Sequence, residues 1–146
     1  MAVAAIDLGR RRIGLAIAAA DGIGAHPLGV IEHRSIAADT AAIAKLLRGR
    51  EVDTVVVGLP LNMDGSEGPS ARSARAFAQR LAVELGVAVE LFDERLTSFE
   101  AEERLRGMPN RGKSKKMAVD ALAAAIILEG WLQARTGKLP PDRNKS

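Results

Sequence analysis

Three stretches of the chain place acids where an apolar run meets a loop. "AIDLGRRRIGLAIA" puts Asp7 near the end of the first apolar run, just ahead of Arg10, Arg11 and Arg12. "LFDERLTS" puts Asp93 and Glu94 just past another such run, beside Arg95. "KKMAVDALAAAIIL" sets Asp120 among Val119, Ala121, Leu122 and Ala123, four residues after Lys116. A buried carboxylate without a partner is costly. Each acid has a structural reading: Asp7 as a turn or cap residue, Asp93-Glu94-Arg95 as a surface loop with a local ion pair, and Asp120 as the i,i+4 partner of Lys116. One chemical reading covers all three. Clustered carboxylates repel unless a cation holds them, and Mg²⁺ and Mn²⁺ take oxygen ligands. Such a site supports attack of water on a phosphodiester.

The elements that must bring these acids together can be read in order. Residues 3–8 and 13–19 are short apolar runs joined by Gly9 to Arg12, which predicts a hairpin. Asp21-Gly22 signals a turn, and residues 26–33 a third strand that Pro27 and Gly29 assign to a sheet edge. Ser35 is a candidate N-cap for a helix over 36–50. The β-branched run 52–58 predicts a central strand. A Gly/Pro/Asn/Asp-rich loop follows, and Pro69 opens a helix to residue 85 with Ala74, Phe77, Ala78, Leu81 and Leu85 on one face. Gly86 ends it, and residues 87–92 predict a fifth strand. Thr97 or Ser98 caps a helix to Arg106, with Glu100 at the capping-box position of Thr97. Residues 107–116 form a Gly- and Lys-rich loop before a last apolar helix over 117–135. The expected fold class is α/β: a mixed five-stranded sheet, with an N-terminal antiparallel meander and then parallel strands, covered by helices on both faces. Ligands of such sheets sit at the carboxyl ends of the strands, where Asp7 and the Asp93-Glu94 pair fall. One domain over residues 1–136 is expected, with 137–146 a flexible tail.

Basic residues surround the same edge. Arg10, Arg11 and Arg12 on the hairpin turn could meet phosphates, although a solvated turn accounts for at least one. In the loop before the Pro69 helix, Asn62, Asp64, Gly65 and Gly68 turn the chain tightly. Its backbone N–H groups and that helix start could take a phosphate, with Arg72 and Arg75 one turn apart nearby; a loop with surface arginines is the plainer alternative. Lys113, Lys115 and Lys116 precede Asp120 and could track a nucleic-acid backbone, or belong to a solvated loop. His26 and His33 flank the third strand and read as structural or exposed, so neither supplies a base.

Composition bounds the rest. The chain has 146 residues, 47% hydrophobic and 27% charged, which suits one globular domain. Aromatics are only 3%, so base stacking on aromatic side chains is not expected as the main binding device. There are no cysteines, which removes disulfides, zinc-thiolate sites and thiol nucleophiles and fits a reducing cytoplasm. Lys and Arg number 21 against 18 acids, a net charge of +3 that is compatible with nucleic acid. Neither a signal peptide nor a membrane-spanning run is expected.

Four stretches together resemble the YqgF/RuvX family, a branch of the RNase H-like superfamily related to the Holliday-junction resolvases: "AIDLGRRRIGLA", "VVVGLPLNMDGSEGPSA", "FDERLTSFEAEERL" and "KSKKMAVDALAAAIIL". The resemblance covers residues 3 to about 135. It implies an RNase H-like fold and an acidic, metal-binding catalytic triad at Asp7, Glu94 and Asp120. Asp93 stays open as an alternative ligand, because adjacent residues of an extended segment face opposite ways and only one of the pair should reach the metal. It also implies a Mg²⁺- or Mn²⁺-dependent nuclease acting on the 5′ end of pre-16S rRNA, or on branched or single-stranded DNA. Arg95 joins the candidate nucleic-acid contacts. A non-catalytic nucleic-acid-binding factor remains an alternative, and an actin-like nucleotide-binding domain a remote one. The sequence leaves monomer or homodimer open.

Overall fold

The computed structural model describes residues 1–19, 24–97, 103 and 115–135, with the backbone alone for 115–118. Its elements run β1 (Ala2–Leu8), β2 (Arg12–Ala19), β3 (His26–Glu32), α1 (Ile36–Leu47), β4 (Val52–Leu59), α2 (Pro69–Leu85), β5 (Ala88–Asp93), a 3₁₀ turn (Glu94–Leu96) and α3 (Lys115–Arg135). The strands form one sheet in the order β3-β2-β1-β4-β5. β1, β2 and β3 pair antiparallel, while β4 is parallel to both β1 and β5. This is the expected meander followed by parallel strands, and β3 lies at the edge that Pro27 and Gly29 foretell.

The sheet has two covered faces because its strands alternate. Ala4 and Ile6 of β1, Ile13 and Leu15 of β2, and Val55 and Val57 of β4 pack with Ile43 of α1 and Phe77 and Leu81 of α2. The intervening residues Val3, Ala5, Ala16, Ala18 and Val56 pack with Ala124, Ala125, Leu128 and Trp131 of α3. Period-two alternation thus divides β1 between two cores.

Local signals set the helix ends. Ser35 accepts a hydrogen bond from the Ala38 N–H at 3.1 Å and caps α1. α1 stops at Leu47, three residues before the expected end, because Arg48 is already extended and Gly49 takes φ +81°. Pro69 opens α2 and Gly86 closes it. Apart from Thr97, which ends the 3₁₀ turn, and Glu103, the expected helix from Thr97 or Ser98 to Arg106 lies outside the described residues, as do the Asp21-Gly22 turn, most of the 107–116 loop and the tail. α3 begins at Lys115, two residues earlier than expected.

Candidate active site

β1 carries Asp7 to the carboxyl end of the sheet. Its parity with Val3 and Ala5 puts it on the α3 face. Asp7 pairs across β1 and β2 with Gly14. Gly14 is where α3 crosses: a Cβ built there would lie 2.0 Å from the Asp120 carbonyl oxygen. The missing side chain lets the helix backbone sit directly on the strand, and Asp120 arrives beside Asp7. On the other side β4 ends through Gly58. A Cβ there would meet Glu94 Oε2 at 2.5 Å and Ile127 Cδ1 at 2.7 Å. Two glycines therefore open the space in which the second and third acids approach the first. Both glycines lie in stretches that carry the family resemblance, but neither has a side chain to suggest chemistry, and sequence reasoning did not single out Gly14 for this role.

The electrostatics follow from that crowding. Burial, and then the charge of Asp120, hold the Asp7 carboxyl above its ordinary value. Glu94 is pushed up to about 7, first by burial, then by Asp7 and by Asp93. Asp7 is thus the centre of the cluster, coupled to Asp120 on one side and to Glu94 on the other.

Asp93 and Glu94 separate as parity requires. Leu91, two residues before Asp93, packs on the α1–α2 side. Phe92, two before Glu94, packs on the α3 side. Asp93 caps the 3₁₀ turn by accepting the Arg95 N–H at 2.9 Å, and it takes the Arg95 guanidinium at 2.7 to 3.1 Å. Those bonds hold its carboxyl below the usual range. Asp93 is a satisfied structural acid, and Glu94 is the strained one.

Asp120 has a partner that its local spacing does not suggest. Arg12 Nε donates to Asp120 Oδ2 at 2.5 Å across 108 positions of sequence. The side chain of Lys116 is outside the described atoms. Among the described residues no three acidic or histidine side chains already enclose one point as metal ligands would. The donor set still suits a hard divalent cation: it is all oxygen and half-buried, and Asp7 and Glu94 are raised in pKa first by burial and then by neighbouring acids, a repulsion that a cation would relieve.

The expected nucleic-acid contacts divide by their partners. Arg75 is held by Glu67 through three hydrogen bonds of 2.5 to 2.9 Å. Arg95 is held by Asp93, and Arg12 by Asp120. Arg72 reaches only the Glu67 carbonyl, at 3.4 Å. Arg10 and Arg11 are exposed, and among the described residues no carboxylate pairs with them. Lys113 lies outside the described residues; Lys115 and Lys116 are seen as the first backbone of α3. The loop before α2 spends its polar groups on itself. Asn62 accepts from the Gly65 N–H at 2.8 Å and donates to Ser66, whose N–H and hydroxyl both donate to Asp64.

Sheet order and flanking helices define a protein of RNase H-like fold. Solved structures agree on the fold. Thermus thermophilus RuvC in complex with Holliday junction substrate matches with a TM-score of 0.64, at 22% identity over 97% of this chain and 99% of that one. The fowlpox virus Holliday junction resolvase matches with a TM-score of 0.57, at 12% identity over 92% of this chain and 99% of that one. The chain belongs to the RuvX family, described as Holliday junction resolvase, whose model matches residues 1–134. A relative from Anaeromyxobacter sp. (strain Fw109-5) is 60% identical over 130 residues, 89% of this chain and 95% of the relative. One from Myxococcus xanthus (strain DK1622) is 44% identical over 137 residues, 94% and 89% of the two chains. Both carry the name "Putative pre-16S rRNA nuclease".

Proposed function

We propose that the protein is a divalent-metal-dependent nuclease whose substrate is the precursor of 16S rRNA. The observation that carries this reading is the charge cluster. Asp7 stands between Asp120 and Glu94 at the carboxyl end of the sheet, and Asp7 and Glu94 are both raised in pKa by burial and by neighbouring acids. Carboxylates kept this close stabilise nothing by themselves. They are the oxygen set that would hold Mg²⁺ or Mn²⁺, with Asp7 shared between its two neighbours. When bound, such an ion lowers the pKa of water and offsets charge on the phosphodiester.

The chain's own groups supply the rest. Asp7 near the end of β1 and Glu94 at the start of the 3₁₀ turn after β5 orient the attacking water. Arg10 and Arg11, which no carboxylate among the described residues pairs with on the adjoining turn, receive the phosphates that flank the scissile bond. Arg12 balances one of the three negative charges through Asp120. The rRNA substrate is supported by the names of relatives up to 60% identical; the family description favours branched DNA as the second substrate to try. The absence of cysteine fits action in the cytoplasm, and no described helix is long and apolar enough to cross a membrane.

The test is cleavage of labelled pre-16S rRNA, an unrelated single-stranded RNA and a four-way DNA junction, each with Mg²⁺, Mn²⁺ or EDTA. Asp7→Asn should keep the fold and lose at least about a hundredfold in rate, the loss expected when an electrostatic anchor of the reaction is removed. Equal rates for wild type and Asp7→Asn would overturn the reading. Preference for the junction would replace rRNA by DNA.

A further inference from the structure

The other face of the same sheet edge holds a cleft that the acidic site does not use. Among the described residues its volume is about 530 Å³, within the range of about 300–1,000 Å³ usual for small-ligand sites. Leu8, Ile13, Pro60 and Phe77 give it an apolar floor, and Arg10, His33 and Ser73 give it a polar rim. His33 is not a free surface histidine. Its Nδ1 lies 2.5 Å from Asp39 Oδ2, and Asp39 is 1% exposed. Asp39 also accepts the Arg34 N–H at 2.9 Å. The contact occupies Nδ1 and leaves Nε2 as the ring nitrogen that can meet a ligand. A buried acid spent on orienting a half-exposed imidazole at a cleft has no role in the acidic cluster.

Location decides what the cleft takes. Asp7 and Leu8 are successive strand residues and face opposite ways. Asp7 serves the acidic cluster, while Leu8, Gly9 and Arg10 continue into the cleft wall. A strand whose phosphate lies at Asp7 therefore crosses the rim at Arg10 and meets the cleft next. The exposed Arg10 is complementary to a phosphate. The apolar floor and the oriented Nε2 are complementary to a planar base with a polar edge.

We propose that this cleft receives one unpaired nucleobase of the substrate strand, next to the scissile phosphate, with Arg10 on its phosphate and His33 on its edge. The proposal rests on the nuclease reading for the path of the strand. It makes recognition of a displaced base, rather than of duplex, the source of substrate choice.

The experiment measures binding of a fluorescent single-stranded RNA 12-mer in EDTA, where no cleavage occurs. A set of 12-mers with one abasic residue moved along the strand is measured beside it. Proteins are wild type, Ser73→Trp and Ala76→Trp; both substituted residues are exposed on α2 and line the cleft, so their bulk fills it without entering the core. Wild type should bind one abasic position about tenfold more weakly than the intact strand. Either Trp variant, with an unchanged melting temperature, should bind the intact strand about tenfold more weakly and show no further loss at that position. Wild type that binds no 12-mer, equal affinity at every abasic position, or folded Trp variants that keep the full discrimination would overturn the proposal. Cleavage is scored separately with Mn²⁺. Discrimination without cleavage would sustain the cleft and sink the nuclease reading, and cleavage without discrimination would do the reverse.

Discussion

Glu94 and Asp93 are neighbours with opposite fates, and the difference is experimentally accessible. Asp93 is satisfied by Arg95, whereas Glu94 sits in a half-buried corner with its carboxyl raised to about 7 from 4.5. An acid raised on folding binds its proton in the native state where the unfolded chain has lost it. Stability from this group is therefore greatest below pH 4.5 and falls as pH rises from 4.5 to 7. Glu94→Gln should melt higher than wild type at pH 8, by about 3 °C, taking roughly 1 kcal/mol after discounting for solvent screening. At pH 4 the two should melt together, and calorimetry across that range checks it. Divalent cation at pH 8 should shrink the difference, because it stabilises the wild-type carboxylate. Activity should divide the pair the other way: Glu94→Gln abolishes cleavage, and Asp93→Asn keeps it within about tenfold, since Asp93 acts through the turn it caps. A result in which Asp93→Asn is the dead variant would exchange their roles.

At the scale of elements, the site depends on α3 lying against β2 without a side chain between them. Gly14→Ala places a methyl 2.0 Å from a backbone oxygen of α3, and backbone does not swing aside. The variant should lose at least about 2 kcal/mol by overpacking, seen as a lower urea midpoint, and lose activity with it. Gly58→Ala meets side chains first, Glu94 at Oε2 and Cγ and Ile127 at Cδ1. Those side chains can rotate, so its stability should fall by about 1 kcal/mol or less while cleavage falls more than tenfold through the displaced Glu94. These contrasts mark what the sequence could carry. Alternation in β1 and β4, the Ser35 cap, Pro69 and Gly86 are local signals, and strand order and helix placement followed from them. Asp7, the Asp93-Glu94 pair and Asp120 were legible as candidates because each breaks an apolar pattern. The preference for Glu94 over Asp93 came from the family resemblance; strand parity said only that one of the pair would face the site, and a one-residue shift in strand end would reverse which. Arg12 with Asp120, and Asp120 against Gly14, join residues more than 100 positions apart, and no local pattern encodes such meetings. His33 with Asp39 spans only six residues, yet reading both histidines as flanking groups missed its cleft, because burial of Asp39 depends on how α1 docks.

The molecule as a whole is only weakly basic, with a net charge of +3, so long-range attraction is a poor account of how it would hold a polyanion. The local balance says more. Arg12, Arg75 and Arg95 are each neutralised by a carboxylate, whereas among the described residues no carboxylate pairs with Arg10 or Arg11 on the acidic edge. Binding should therefore draw on few phosphate contacts, placed at one edge rather than spread over the surface. Each contact on a single strand contributes about 0.7 to the slope of log K against log salt. Arg10→Ala with Arg11→Ala should lower that slope by about 1.4, and it should weaken binding of unrelated sequences alike, since phosphate contacts carry no sequence. Arg75→Ala should leave the slope unchanged, because its charge is already spent on Glu67. Titrations of one RNA at several salt concentrations, in EDTA to prevent cleavage, separate the two. A slope that responds to Arg75 and ignores Arg10 and Arg11 would move the phosphate path from the β1–β2 turn to the start of α2.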